Sequence, residues 1–209
     1  MDDLVEMLKS VGAIIEGHFI GNSGRHLSTY VNKDAFLPRT DIVSSLGRKI
    51  AEVNADRNID IVAGPAVGGI PLSQWTAHHL SELTGKRVLA VFTEKTPENG
   101  QVLKRGYDKI VQGKRVLAVE DTVTTGASVK KTIDALKSAG GDVIELTLIV
   151  NRDPEKVNES TLGVHLSSLV EIPLQSFAEN EVPDWLQKIP VSTEYGHGAK
   201  YLKEKGMTQ

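Results

Sequence analysis

Cysteine is absent from this chain of 209 residues, which excludes disulfides and thiolate catalysis and is compatible with a reducing compartment. Long hydrophobic runs are also missing. No apolar stretch approaches the ~20 residues needed to cross a bilayer, so no membrane association is expected. The opening residues, Met1-Asp2-Asp3-Leu4, are acidic and have no basic n-region ahead of an apolar core, so they do not read as a signal peptide. A basic excess is lacking too: the formal net charge is −3, and bulk charge gives no reason to expect nucleic acid. These absences lead to the expectation of a cytoplasmic protein. No internal repeat or low-complexity tract is visible. The histidines show no zinc spacing. His78 and His79 are neighbours on an expected helix and so should point in different directions, and His18, His26, His165 and His197 are scattered; no metal ligand is assigned among them.

What is present is ordinary for a globular chain: 40% hydrophobic and 24% charged residues, in a length that suits one domain. Leu4, Val5, Leu8 and Val11 define an N-terminal helix through Lys9. Gly12 and Gly17 then break the pattern, Gly21 to Gly24 reads as a turn, and Ser28 to Asn32 as a short strand. Ile42, Leu46, Ile50 and Val53 mark a helix from Asp41 to Asn54. Beyond it, apolar strands at 59–63, 88–92, 116–119 and 143–150 alternate with helices marked by Leu72, Trp75, Leu80 and Leu83, and by Val129, Ile133 and Leu136. Gly140-Gly141 terminates the latter. Thr93 to Gln101 has Pro97, Gly100 and no periodicity, and reads as a mobile loop. Leu162 to Val170 reads as a further strand and Tyr195 to Lys205 as a terminal helix. The alternation predicts an α/β fold with a parallel central sheet flanked by helices. One domain is expected over 1–209: a small N-terminal hood segment (1–38), an α/β core (39–155) and a C-terminal segment (156–209) of undetermined role.

Parallel sheets of this kind bind ligands at the carboxyl ends of strands. The strand at 116–119 runs into Glu120-Asp121-Thr122-Val123-Thr124-Thr125-Gly126-Ala127-Ser128, two carboxylates followed by small hydroxyl residues and a glycine that open a helix. Backbone N–H groups at a helix start favour a phosphate, and Thr124, Thr125 and Ser128 add hydroxyl donors. The carboxylates repel a phosphate and suit sugar hydroxyls, a cation or a developing positive charge. A P-loop needs Gly-Lys before Ser or Thr, which never occurs here, and a dinucleotide fingerprint places its acid after the loop, whereas these acids precede it.

The run Val119 to Ser128 resembles the signature with which type I phosphoribosyltransferases bind 5-phosphoribosyl-1-pyrophosphate (PRPP). That resemblance implies that Glu120 and Asp121 hold the ribose hydroxyls and that Thr122, Val123, Thr124, Thr125, Gly126, Ala127 and Ser128 cradle the 5′-phosphate. Within the family the chain is most similar to orotate phosphoribosyltransferases. Asn22-Ser23-Gly24-Arg25-His26 and Tyr30-Val31-Asn32-Lys33-Asp34 look like their N-terminal substrate segment. Ala66, Val67, Gly68 and Gly69 look like their pyrophosphate loop, which often holds a non-proline cis peptide. Leu103 to Tyr107 resembles the end of their flexible loop. The resemblance implies that Lys95, Lys104 and Arg105 close over the pyrophosphate, with Lys95 catalytic beside Glu120 and Asp121. It places Thr124, Arg152, Tyr30 and Val31 around orotate, Arg152 as a planar fork for the carboxylate. The competing readings are solvated charge for the three loop cations, a surface ion pair with Asp153 or Glu155 for Arg152, and core packing for Tyr30. Of the family's cluster of basic loop residues only Lys95 is clearly retained, and Val31 stands where the family has a second aromatic.

The chemistry so implied is displacement of pyrophosphate from ribose C1 by a ring nitrogen, with Mg²⁺ held mainly through PRPP and no direct protein ligand. A homodimer is implied as well. Two other functions share the PRPP loop: transfer to adenine, guanine, hypoxanthine, xanthine or uracil, and PRPP sensing without catalysis.

Overall fold

The apolar runs of the centre become neighbouring strands of one sheet. In a computed structural model that describes residues 2–21, 23–173 and 175–206, the elements in chain order are α1 (Asp2–Ser10), β1 (Ile14–Ile20), β2 (His26–Val31), α2 (Thr40–Asn54), β3 (Ile61–Pro65), α3 (Gly69–Thr84), β4 (Leu89–Lys95), β5 (Gln101–Val102), α4 (Tyr107–Val111), β6 (Arg115–Val123), α5 (Ala127–Ser138), β7 (Asp142–Asn151), α6 (Glu159–Leu162), β8 (His165–Glu171), β9 (Ser176–Phe177), α7 (Asp184–Gln187) and α8 (Gly198–Glu204). They form two compact units, Leu37–Ile172 and Asp2–Phe36 joined by the segment from Pro173. Among the described residues no helix is long and apolar enough to cross a membrane.

The larger unit holds a six-stranded sheet in the order β5-β4-β3-β6-β7-β8. Every neighbouring pair is parallel except β4 with β5. Side chains on a strand alternate between faces, yet Val116, Leu117, Ala118 and Val119 are all fully buried. Both faces of β6 are therefore covered, which is why the strand reads as an unbroken apolar run rather than an alternating one. The core unit reaches Ile172, past residue 155, because β8 joins the sheet beside β7.

Four features differ from the sequence reading. β6 does not stop at Val119. β7 runs alongside it as far as Asn151, and the pairing continues through Glu120↔Leu148, Thr122↔Val150 and Val123↔Asn151, so both carboxylates lie in the strand. The buried face of α2 is Val43, Leu46, Gly47, Ile50 and Ala51, while Val53 is exposed. Small residues decide this face: a Cβ at Gly47 would lie 2.8 Å from the Trp75 Cβ and 2.9 Å from the Thr76 backbone nitrogen, so α2 and α3 pack almost backbone to backbone. On α3, Leu72 and Leu80 are buried and Leu83 is exposed; His78 faces solvent and His79 is buried, as neighbours on a helix should, yet both reach Glu82 between them. The aperiodic stretch after Thr93 is a hairpin. β5 folds back on β4 through Glu94↔Val102 and Lys95↔Gln101, Asn99 takes φ 59°, and the Lys131 ammonium donates to the Asn99 carbonyl at 2.6 Å.

The smaller unit is an antiparallel sheet in the order β1-β2-β9 with α1, α7 and α8. Gly17 does not end a segment; it sits in β1 where the register shifts between Glu16 and Phe19, and a Cβ there would lie 3.0 Å from the Phe19 ring. Such a bulge hides the strand from a periodicity argument. The segment after Pro173 supplies β9, paired as His26↔Phe177 and Leu27↔Ser176.

This unit buries two histidines in contact. His18 Nδ1 lies 3.0 Å from the Ile189 carbonyl, which can only accept, so Nδ1 carries the proton and Nε2 accepts from His26 Nδ1 at 2.6 Å. His26 Nε2 is then an unprotonated, buried nitrogen without a hydrogen-bond partner, with the Tyr201 ring edge-on at 5.3 Å. Burial first, and the neighbouring His18 second, hold His26 below the ordinary histidine pKa; Glu179 opposes this and Lys205 adds to it. The unfolded chain therefore takes up a proton at a higher pH than the folded one. The contribution to stability is complete above about pH 6.5 and is lost as the pH falls below it. Thermal unfolding midpoints are expected to drop between about pH 7.5 and pH 5.5. In His26→Asn, whose amide can still donate to His18 Nε2, the slope should flatten; an equal slope in both proteins would assign the effect elsewhere.

Candidate active site at the carboxyl edge of the sheet

β3 leads through α3 to β4 on one side of the sheet, and β6 leads through α5 to β7 on the other. β3 and β6 are themselves neighbours, paired from Ile61↔Val116 to Ala63↔Ala118. The two loops that follow them therefore open side by side, at the switch point where open α/β sheets form a crevice.

The first loop is pinched shut at its base. A Cβ on Gly64 would lie 2.7 Å from the Gly69 Cα, and one on Gly69 would lie 2.7 Å from the Gly64 carbonyl carbon, so only this glycine pair lets the strand end touch the helix start. The Ala66–Val67 peptide is cis. The Ala66 N–H donates to the Thr93 carbonyl at 2.8 Å, which ties the loop to β4 and takes that donor out of the expected pyrophosphate set. Val67, at the loop tip, is 79% exposed. Gly68 is the N-cap of α3 and lies against the Asp121 carboxylate, whose Cγ would be 3.3 Å from a Cβ at that position.

The second loop separates its charges. Glu120 and Asp121 are only 9% and 2% exposed. Each carboxylate accepts from the next backbone N–H, Glu120 Oε1 from Asp121 at 3.1 Å and Asp121 Oδ1 from Thr122 at 2.6 Å. Such charge-assisted bonds offset part of the cost of burying an acid. Thr124, Thr125 and Gly126 then turn the chain into α5, where Thr125, Ala127 and Ser128 are exposed. The N-cap is Gly126, with φ 76°; it has no side chain to occupy the first-turn N–H groups, which leaves them to an anion.

Arg152 follows β7 and is 8% exposed, so it is not a solvated surface ion pair; the Asp153 carboxylate is instead held by Lys156 at 3.0 Å. Its own backbone N–H donates to the Val123 carbonyl at 2.8 Å. Although it lies after a different strand from the loop at 120–128, the two strands are adjacent, and Arg152 stands beside that loop. Lys95 ends β4 and is exposed. Lys104 and Arg105 are exposed too and turn onto Glu94 of their own hairpin, at 3.6 Å and 3.0 Å, with the Arg105 guanidinium 5.7 Å from the Phe92 ring centroid. Glu94 was not singled out from the sequence; reading Phe92 to Arg105 as two short strands around Pro97 to Gly100 would have found it.

Tyr30 and Val31 belong to the other unit, on β2. The Tyr30 ring lies 5.5 Å from those of Phe19 and Tyr195. Arg25 donates to Ser176 Oγ at 3.0 Å and to the Ser176 carbonyl at 2.8 Å, binding β2 to β9, while Asn22 lies outside the described residues.

The family model for the phosphoribosyl transferase domain matches residues 34–181. Orotate phosphoribosyltransferase of Bartonella henselae is 37% identical over 191 residues, which cover 90% of this chain and 93% of that protein. Among solved structures, orotate phosphoribosyltransferase of Mycobacterium tuberculosis H37Rv in complex with Fe(III) dicitrate superposes with a TM-score of 0.67 at 25% identity, over 81% of this chain and 95% of that one. The enzyme of the same name from Aeropyrum pernix superposes with a TM-score of 0.65 at 27% identity, over 80% and 93%.

Gly68→Ala tests the contact between the two loops. The added methyl would displace the Asp121 carboxylate, and misplacement of a binding group by about 1 Å costs on the order of a hundredfold. We expect a loss of that size in kcat/KM for PRPP, with an unchanged circular dichroism spectrum. Normal kinetics in a folded variant would separate Asp121 from the reaction.

Proposed function

This chain belongs to the phosphoribosyl transferase domain family, and from that premise we propose that it transfers the phosphoribosyl group of PRPP to orotate, giving orotidine 5′-monophosphate and pyrophosphate. The observation that carries the reading is the open start of α5, capped by Gly126, beside the glycine loop that leads into α3, around one buried carboxylate pair at the switch point. Orotate as the acceptor is supported by the name shared by the relatives, at 37% identity over nine-tenths of this chain in the first case. A buried arginine beside the phosphate loop also favours an anionic base over a neutral one.

On this reading the start of α5, from Thr124 to Ser128, takes the 5′-phosphate. Glu120 and Asp121 take the ribose hydroxyls. The loop at Val67 to Gly69, at the start of α3, takes the pyrophosphate. The acceptor nitrogen bonds to ribose C1 as the C1–O bond to pyrophosphate breaks, and positive charge grows on the ribose. Glu120 and Asp121, already desolvated, stabilise that charge without reorganising, which is the usual source of catalysis where no covalent intermediate forms. Mg²⁺ would be held mainly through PRPP, beside the buried hard-oxygen carboxylates Glu120 and Asp121 that take the ribose hydroxyls, and would supply neutralisation of the departing pyrophosphate. Lys95, Lys104 and Arg105 close over the pyrophosphate. Lys104 and Arg105 must leave Glu94 to do so, and exposed ion pairs hold only about 0–1 kcal/mol, so a pyrophosphate outcompetes Glu94 easily. The same reading includes a homodimer.

The test is turnover with PRPP, Mg²⁺ and each candidate base, beside Arg152→Ala. Orotate should be the productive acceptor. Losing a charge-assisted contact of about 1.5–3 kcal/mol should lower kcat/KM for orotate by roughly tenfold to a hundredfold. Turnover of a purine or uracil instead would replace the acceptor and keep the transferase, whereas PRPP binding without turnover of any base would point to a sensor.

A further inference from the structure

The transferase reading leaves unused a cluster on the far half of α3. Successive helical residues project about 100° apart, so a residue at position 82 projects between those at 78 and 79. His78 Nε2 lies 3.4 Å from Glu82 Oε1, and His79 Nδ1 lies 3.0 Å from Glu82 Oε2. One ligand atom from each of the three falls within 4.8 Å of the others. We propose that His78, His79 and Glu82 form a binding site for one divalent transition-metal cation of the class of Zn²⁺.

Three observations support the site. The first is spacing. Tetrahedral zinc with bonds of ~2.0–2.1 Å sets its ligand atoms ~3.3 Å apart; the two rings already lie near that distance from the Glu82 carboxylate, one at each oxygen, and one ligand atom of each residue falls within 4.8 Å of the others. The second is donor chemistry. Two imidazoles and one carboxylate suit a borderline cation, whereas Mg²⁺ prefers oxygen alone. Two rings can approach one carboxylate in this way only by sharing protons with it, and a cation takes the place of those protons. The third is support for the ligands. The His79 ring is buried and stacked 5.8 Å from Trp75, and the Trp75 ring also meets His78 edge-on at 5.7 Å. His79 Nε2 lies 2.9 Å from Ser44 Oγ on α2, so with Nδ1 on the metal the Nε2–H donates to Ser44, an outer partner of the kind that fixes ligand histidines. His78 and Glu82 are exposed, which gives the cation an entry path and leaves its fourth position to water. The Arg48 guanidinium, 3.3 Å from Glu82 Oε2, must give way, and a half-exposed ion pair of that kind holds only weakly.

His78 is about 14 Å along α3 from Gly69 at ~1.5 Å per residue, so the site is separate from the pyrophosphate loop. Binding there ties α3 to α2 through Ser44 and should stabilise the fold. The full chain, stripped with a chelator and kept in Mg²⁺, is titrated with Zn²⁺ by calorimetry and by thermal unfolding. The expected result is one Zn²⁺ per chain and a midpoint that rises with Zn²⁺ concentration. His78→Ala and Glu82→Gln, both on the solvent side, should each lower the affinity at least about tenfold, while His165→Ala leaves it unchanged. No uptake below about 100 µM Zn²⁺, or uptake that survives in the folded His78→Ala/Glu82→Gln double variant, overturns the assignment.

Discussion

The contact between Gly68 and the Asp121 carboxylate is the constraint on which the rest of the candidate site depends. It joins two loops that lie far apart in the chain, and a side chain larger than hydrogen at position 68 would break it. The contact exists only because β3 and β6 are adjacent strands, and because Gly64 and Gly69 let α3 start hard against the end of β3. Moving either strand by one position in the sheet would leave the carboxylate pair and the cis-peptide loop facing different crevices. The apolar character of β6 on both faces thus serves the site indirectly. It buries the strand centrally, where its end must meet its neighbour's loop.

Charge is laid out around that contact in a consistent way. Both helices that leave the crevice start from a glycine N-cap, Gly68 for α3 and Gly126 for α5. Replacing a capping side chain with glycine sacrifices only a few tenths of a kcal/mol, so opening the start of α5 to an anion costs little. The acids are treated oppositely: Glu120 and Asp121 are withdrawn from water and held by backbone N–H groups at the strand end. On the proposed reading the loop cations Lys95, Lys104 and Arg105 are exposed while the carboxylates that face the growing positive charge are buried, which suits a substrate that enters as a polyanion and becomes positive at one carbon. The exposed cations Lys104 and Arg105 rest on Glu94, a local carboxylate in the place where a stronger anion is expected to draw them away.

Much of the larger unit was legible in the sequence because its elements are local. Val116 to Val119 and Val143 to Val150 are apolar runs whatever surrounds them, and Val129, Ile133 and Leu136 keep helical spacing without help. The strand–acid–glycine–helix order of 116–128 likewise carries its own meaning. The smaller unit was harder to read. Gly17 sits at a bulge that breaks the alternation of β1, and β9 is two residues that become a strand only because β2 offers an edge. On α2 Leu46 and Ile50 are buried as expected, but the face turns toward Val43 and Ala51 and away from Val53, since Gly47, which has no hydrophobic signal, sets the closest approach to α3.

By itself, then, the sequence determined the α/β class, the hydroxyl- and glycine-rich turn into α5 and the acid pair before it, because each is a property of a few consecutive residues and their chemistry. Tertiary structure alone decided which loop faces which, that Asp121 meets Gly68, that Arg152 is buried beside the 124–128 turn, that Lys104 and Arg105 lie on Glu94, and how far α2 is rotated. These are consequences of strand order, register and the closeness that glycine permits. They depend on residues distant in the chain, so no local pattern encodes them.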